Sequence, residues 1–343
     1  MVSYLISFVI GDYVKIEDNY EDLPVAYWVY PENQNEAFRS FGKTPDMLKY
    51  FNKLTGVSYP FEKYDQIIVS EFMWGGMENI TLTHNTDRTM HDSKAQPDHS
   101  SDGLVAHELA HQWYGNMITT RNWANIWLNE GFATYFSRLY LTKDRGEDEG
   151  DYIRFNEIRG FKSADKRKRR PTVDYNYEEP FELFSSHVYA KGSLILNMLH
   201  DVLGDDGFWR SIKYYTVKNK LKNVETVDLK KSIEVTSGQN LDWFFKQWVY
   251  EPGFPEYDVS WTYNQRNKLL SLHVKQVQDL KTTSLFKMPI NVLIDNGTVE
   301  EHVIWVEDLD SVFKIHTDKR PRMVVFNSWL KVPSNLKMQK SVS

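Results

Sequence analysis

The sequence predicts an α+β protein that ends in a small all-β sandwich. Three observations carry that expectation. Short apolar runs alternate with helical periodicity between residues 25 and 83. From 101 to 250 the apolar residues mostly recur at helical spacing. Beyond Pro255 the pattern switches to strand-type alternation between polar breaks. At 343 residues the chain is long enough for two domains and a smaller third piece, and 41% hydrophobic with 26% charged residues is the balance of a globular protein.

The elements follow in chain order. Met1 to Tyr13, MVSYLISFVIGDY, is rich in strand formers and lacks the positive n-region and cleavage site of a signal peptide, so a buried strand is expected over 2–10. An acidic, Pro-containing linker around Glu17 to Pro24 leads to a strand at 25–30. Ala37 to Leu54 has helical periodicity through Phe41, Met47, Leu48, Phe51 and Leu54, with Pro45 near a helix start. Tyr64 to Phe72 and Ile80 to Thr83 read as strands. Between them, the glycine pair of Gly75-Gly76-Met77-Glu78-Asn79 marks either backbone approached closely by a ligand or a bulge or turn. The most basic stretch, Lys162 to Arg170, is expected as a solvated loop. Helices are expected at 188–203, 208–215, 226–236 and 240–250, with Gly204 and Gly238 at helix ends. Pro252-Gly253-Phe254-Pro255 punctuates the chain, and four alternating runs with a hairpin turn at Asp295-Asn296-Gly297-Thr298 follow.

Chemistry concentrates between Ser101 and Tyr135. His107 and His111 flank Glu108 as H-E-x-x-H, and residues four apart share one face of a helix. Two imidazoles so placed can grip one Zn2+ ion while Glu108 sits beside its open position. Ser101 or Asp102 can cap the helix, and Gly115 or Asn116 can end it. A catalytic zinc needs a third protein ligand. Glu130, with eighteen residues between it and His111, lies on a second amphipathic pattern that an antiparallel helix pair would bring back to the histidines. Alone, an H-E-x-x-H arises by chance in roughly a few per cent of such chains; with Glu130 the zinc reading prevails. The absence of cysteine removes thiolate ligands, so zinc would be held by His and carboxylate. A net charge of −6 gives no reason to expect nucleic acid or an anionic membrane as partner, and no run approaches a membrane span. A soluble protein is expected, cytoplasmic being favoured over exported.

Five pieces in order, GGMEN at 75–79, H-E-x-x-H at 107–111, Glu130 in NEGFATY, Tyr189 in YAKG and Trp248 to Pro255, resemble the zinc aminopeptidases of the aminopeptidase N family, the gluzincin branch with a thermolysin-like catalytic domain. The resemblance covers roughly residues 1–330. It implies one zinc on His107, His111 and Glu130, Glu108 as general base, and Tyr189 stabilising the oxyanion. Glu78 is implied to anchor a peptide's free amino end, with Gly75, Gly76, Met77 and Asn79 lining the backbone it lies against. It also implies a division into 1–20, the end of an N-terminal β domain, 21–254, the catalytic domain, 255–335, the β sandwich, and a tail at 336–343. Most of that N-terminal domain, which in relatives adds a polar group at the substrate's amino end, and the family's C-terminal helical domain have no counterpart here. The chain is therefore expected to be a fragment, with flanking domains missing. Two other functions fit the same residues. One is a thermolysin-like endopeptidase, which needs no Glu78; the other is a catalytically weak or silent peptide-binding fragment.

Overall fold

In a computed structural model, residues 2–96 and 98–340 of the chain are described. They form two compact units: residues through 153 together with 205–239, and 154–204 together with 240–343. Among the described residues no helix is long and apolar enough to cross a membrane.

The first unit begins with a 3-10 turn at Ser3–Leu5. Strands β1 (Val14–Tyr20) and β2 (Leu23–Val29) follow, then helices α1 (Ala37–Phe41) and α2 (Thr44–Thr55), strands β3 (Tyr64–Val69), β4 (Gly76–Met77) and β5 (Leu82–Thr86), and helix α3 (Asp102–Ala110). After β6 (Thr119–Thr120) come α4 (Trp127–Arg145) and the start of α5 (Glu147–Arg167). The unit resumes in the later part of α6 (Ala190–Lys218) and ends with β7 (Asn223–Val224) and α7 (Thr226–Ser237). Its main sheet has the order β1-β2-β3-β5-β4, with β2, β3 and β5 parallel and both edge strands antiparallel to their neighbours.

The expected strand over 2–10 is not found. Leu5 is buried, but Ile6, Phe8 and Ile10 are more than half exposed, and the segment after the turn joins no ladder among the described residues. The supposed acidic linker is instead the β1–β2 hairpin. Its charges are compatible with an edge strand, where Lys15 and Glu17 lie on the exposed face and pair at 2.8 Å. The helix expected over 37–54 is two, and Pro45 sits in the first turn of α2, where its missing N–H costs nothing.

Helices α3 and α4 are held by an aromatic core. Tyr114 stacks on Phe132 at 4.2 Å between ring centres, Phe51 meets Trp113 and Phe136 edge-on, and all five rings are buried. Each such side chain contributes about 1.5–3 kcal/mol on leaving water, enough to fix how the two helices meet.

The second unit contains the end of α5, the first part of α6, helix α8 (Asp242–Phe245), a π-type turn at Lys246–Tyr250 and a sandwich. One sheet pairs β11 (Val299–Val306), β10 (Met288–Asp295) and β13 (Met323–Phe326). The other orders β12 (Asp310–His316), β9 (Leu269–Gln276), β8 (Glu256–Asn264) and β14 (Asn335–Lys340). Alternate residues of β8, β9 and β10 are buried, as in faces packed on a common core, and Tyr257 meets Phe326 across the sheets at 5.2 Å. Asp295 pairs with Val299, and Gly297 takes φ +109° at the hairpin expected there. Residues 335–340, read largely as tail, pair as β14 in parallel with β8; 341–343 lie outside the described residues.

The basic stretch is a correction too. Helix α5 continues to Arg167, Arg169 pairs with Asp165 at 2.9 Å, and Arg170 is buried rather than solvated. Basic side chains complement the carbonyl end of a helix, which is why a run of them can close one.

Candidate metal centre and active site

His107 lies in the last turn of α3 and His111 caps it, so one helix presents both rings. Glu130 lies in the first turn of α4. His107 Nε2 and His111 Nε2 are 3.1 Å apart, and Glu130 Oε2 is 3.3 Å from each. Two donors of a tetrahedral zinc, each about 2.0–2.1 Å from the metal, are separated by roughly 3.3 Å. The triangle therefore has the size of one face of such a site, and its donors, two imidazoles and a carboxylate, suit a zinc-type ion. His111 Nδ1 lies 3.0 Å from the carbonyl of Tyr114; donating there leaves the Nε2 lone pair toward the other two donors.

The electrostatics mark this cluster as short of positive charge. Burial acts against a charged His111, but the carboxylates of Glu78 and Glu130 outweigh it and push the imidazole up to about 10. Burial likewise opposes ionisation of Glu130, yet His111 and hydrogen bonds from both rings hold it down to about 2. Glu108 is buried and raised well above the carboxylate range, first by burial. Glu78 is raised, also by burial. Three carboxylates facing two imidazoles leave a deficit that a divalent cation would fill.

Glu108 and Glu78 approach from different elements. Glu108 is on α3, one residue from His107. A Cβ on Gly76 would overlap Glu108 Oε1, so the second glycine of GGMEN lets the Glu108 carboxyl lie against β4. Of the two roles left open for the glycine pair, close approach is realised at Gly76, and the group approaching is this protein's own carboxylate. Glu78, just past β4, is fixed through its carbonyl, which accepts from Asn116 Nδ2 at 2.7 Å and Gln112 Nε2 at 3.3 Å. Glu78, Glu108 and His111 also bring ligand atoms within 4.8 Å of one another. Met77 pairs with His84 across β4 and β5, and Asn79 Nδ2 donates to Leu5 O at 3.2 Å.

The start of α3 is anchored differently from the expected cap. Ser101 gives its hydroxyl to Ser40 O at 2.8 Å instead of capping. Asp102, buried, takes Lys43 at 2.9 Å and Arg145 at 2.7 Å, which ties the metal helix to the start of α2 and the end of α4. No local pattern announces Gln112, Asn116 or this Asp102 clamp, because their partners lie far along the chain. The remaining sequence-predicted residue, Tyr189, belongs to the second unit. It is half-buried in the turn leading into α6, and its backbone N–H reaches Ser185 O at 3.3 Å.

A helix bearing H-E-x-x-H and a carboxylate from the next helix, with a second carboxylate just past a strand beside them, is the donor arrangement of a metallopeptidase-type centre. Comparison with known proteins agrees. Residues 39–248 match the peptidase family M1 domain, and the chain belongs to that family. It is 27% identical over 341 residues to aminopeptidase 2 of Candida albicans, covering 93% of this chain and 36% of that protein. It is 29% identical over 337 residues to the alanine/arginine aminopeptidase of Saccharomyces cerevisiae, covering 93% and 38%. Its fold superposes on the crystal structure of Legionella pneumophila aminopeptidase A in complex with aspartic acid, with a TM-score of 0.84 and 21% identity over 96% of this chain and 39% of that one. The chain thus spans little more than a third of the length of these relatives.

Proposed function

We propose that the chain is a zinc aminopeptidase that hydrolyses the first peptide bond of substrates with a free amino end. The observation that carries the proposal is the triangle of His107, His111 and Glu130 with sides of 3.1–3.3 Å, lying beside the buried carboxylate of Glu78. Zinc held there supplies Lewis acidity toward the peptide carbonyl and the attacking water. The protein's own groups do the rest. Glu108 accepts the water's proton and delivers it to the leaving amine. Glu78 holds the substrate's α-ammonium by charge-assisted hydrogen bonds, placing the first peptide bond rather than an internal one at the centre. Tyr189 donates its phenolic hydrogen to the developing oxyanion. The division into a catalytic domain at 21–254 and a sandwich at 255–335 belongs to the same proposal.

Expected for Glu108→Gln is a chain that still binds one zinc but turns over aminoacyl-p-nitroanilides at least ~100-fold more slowly. Retained activity in that variant overturns the assignment. If the parent cleaves amino-terminally blocked peptides as fast as free ones, it is an endopeptidase. One bound zinc with no turnover supports the silent peptide-binding reading.

A further inference from the structure

The opening stretch, read from sequence as a strand, takes another form. Its 3-10 turn, Ser3–Leu5, is fastened to the residues just after Glu78: Leu5 O accepts from Ile80 N at 3.3 Å and from Asn79 Nδ2 at 3.2 Å. The Leu5 side chain is buried, and Ser7 Oγ lies 3.0 Å from His84 Nε2 on β5. Between these pins stands Tyr4. Its ring packs against Trp123 at 5.4 Å, and its hydroxyl points at Glu78 Oε1, 3.5 Å away. Burial, then the charges of Glu78 and Glu130, hold this phenol firmly in its protonated form.

An α-ammonium carries three N–H donors, and a site that removes it from water must meet all three. Glu78 offers one carboxylate oxygen. Glu130 turns Oε2 to the histidines, so at most its other oxygen can serve the amine. A third acceptor is needed on the same side. A tyrosine that gives its O–H to Glu78 and takes a hydrogen bond from Thr119 keeps one further lone pair for a donor, and a 3.5 Å contact leaves room to tighten when the site fills. Because the turn hangs on Asn79 and Ile80, Tyr4 and Glu78 are set at one spacing by a shared backbone.

We infer that Tyr4 is a substrate-binding residue: its phenol oxygen is the third acceptor for the α-ammonium of a peptide, set there by its contact with Glu78. The inference rests on the aminopeptidase reading above. It makes the first residues of the chain part of the amine-recognition site.

The test is Tyr4→Phe in the full 343-residue chain loaded with zinc. Loss of a hydrogen bond to a charged group should raise KM for leucine p-nitroanilide about 10-fold or more, with kcat within about 3-fold and with unchanged zinc content and Tm. A merely structural role for the ring would leave KM in place, since Phe keeps the packing on Trp123. Calorimetric binding of L-leucinamide and of N-acetyl-L-leucinamide supplies a readout independent of turnover. The parent should bind the free amine and discriminate against the acetylated compound, and Tyr4→Phe should lose about 10-fold on the free amine alone. If the parent discriminates and Tyr4→Phe matches it within 2-fold in KM and in binding, the Tyr4 inference falls and the aminopeptidase reading stands. If the parent binds both ligands equally or neither, that reading fails and takes this inference with it.

Discussion

Each unit of the molecule buries a cluster of ionisable groups, and the two are opposite in sign. In the first unit, Glu78, Glu108 and Glu130 face His107 and His111. In the second, Asp165 faces Arg169, His187 and Lys191, and Arg170 acts on Lys191 as well. Both would be costly as fully ionised sets, and each relieves the cost by moving protons. The acidic cluster draws positive charge to His111 and resists ionising Glu108. The basic one resists charging its amine: burial depresses Lys191 to about 7, and burial also lowers His187.

Where the two differ is in how their atoms are used. The guanidiniums of the basic cluster are committed to fixed acceptors: Arg169 to Asp165 at 2.9 Å, and Arg170 to Leu183 O at 2.7 Å and Ser185 Oγ at 2.8 Å. Ser185 in turn meets His187 Nδ1 at 3.2 Å. That is a brace for the turn from Ser185 to Tyr189. The acidic cluster instead points three donor atoms at a common centre. Buried charge brings the two sites to opposite ends: convergent lone pairs make a receptor for a cation, and divergent bonds make scaffold.

The largest effect should come from breaking the convergence. Glu130→Ala should abolish retention of zinc through dialysis and with it more than ~100-fold of the activity, read by metal analysis and aminoacyl substrates. Next is the charge that the basic cluster cannot place. Lys191 is fully buried, its Nζ has no hydrogen-bond partner among the described residues, and it rests over the Phe161 ring at 5.1 Å. Its folded-state value of about 7 lies below the ordinary 10.5, so the unfolded chain binds the proton more tightly. The resulting penalty is full below pH 7, fades between pH 7 and 10.5, and is gone above. Lys191→Met should therefore be more stable than the parent by on the order of 2–4 kcal/mol at pH 6.5, with the gain shrinking toward pH 10 in urea unfolding.

Smaller is the effect of crowding the acidic site without changing its charge. Gly76→Ala pushes against Glu108 and should lower kcat/KM by about 100-fold while zinc stays bound, since small displacements of a catalytic group are costly. Smallest is the brace itself. Ser185→Ala removes a shared partner of Arg170 and His187 and should cost about 1 kcal/mol in thermal unfolding. A loss as large as that expected for Gly76→Ala would show that the basic cluster does more than brace.

Legibility from sequence followed the reach of each interaction. The sandwich strands could be read because alternation has a period of two, and the Asp295 to Thr298 turn because its glycine takes a positive φ. Apolar content alone does not make a ladder over 2–10, and acidic residues do not prevent one: β1 is a strand because it pairs with β2, although every second residue is exposed. The basic run 162–170 looked solvated because Asp165, the partner that buries part of it, is a single acidic letter among many basic ones.

The convergence of His107, His111 and Glu130 was within reach of the sequence alone because His107 and His111 are bound by helix geometry, which fixes residues four apart on one face whatever surrounds them. The spacing to Glu130 added a third donor that needed only a helix to turn back. What tertiary structure alone decided is everything that must cross the chain to reach that triad: Tyr4 and Glu78 meet across 74 positions, Asn116 reaches Glu78 across 38, and Asp102 is clamped by Lys43 from 59 away. No periodicity records such contacts. They exist because an aromatic core draws α3 onto α4 and the sheet lays GGMEN beside it, and burying those charges then forces each to find a partner.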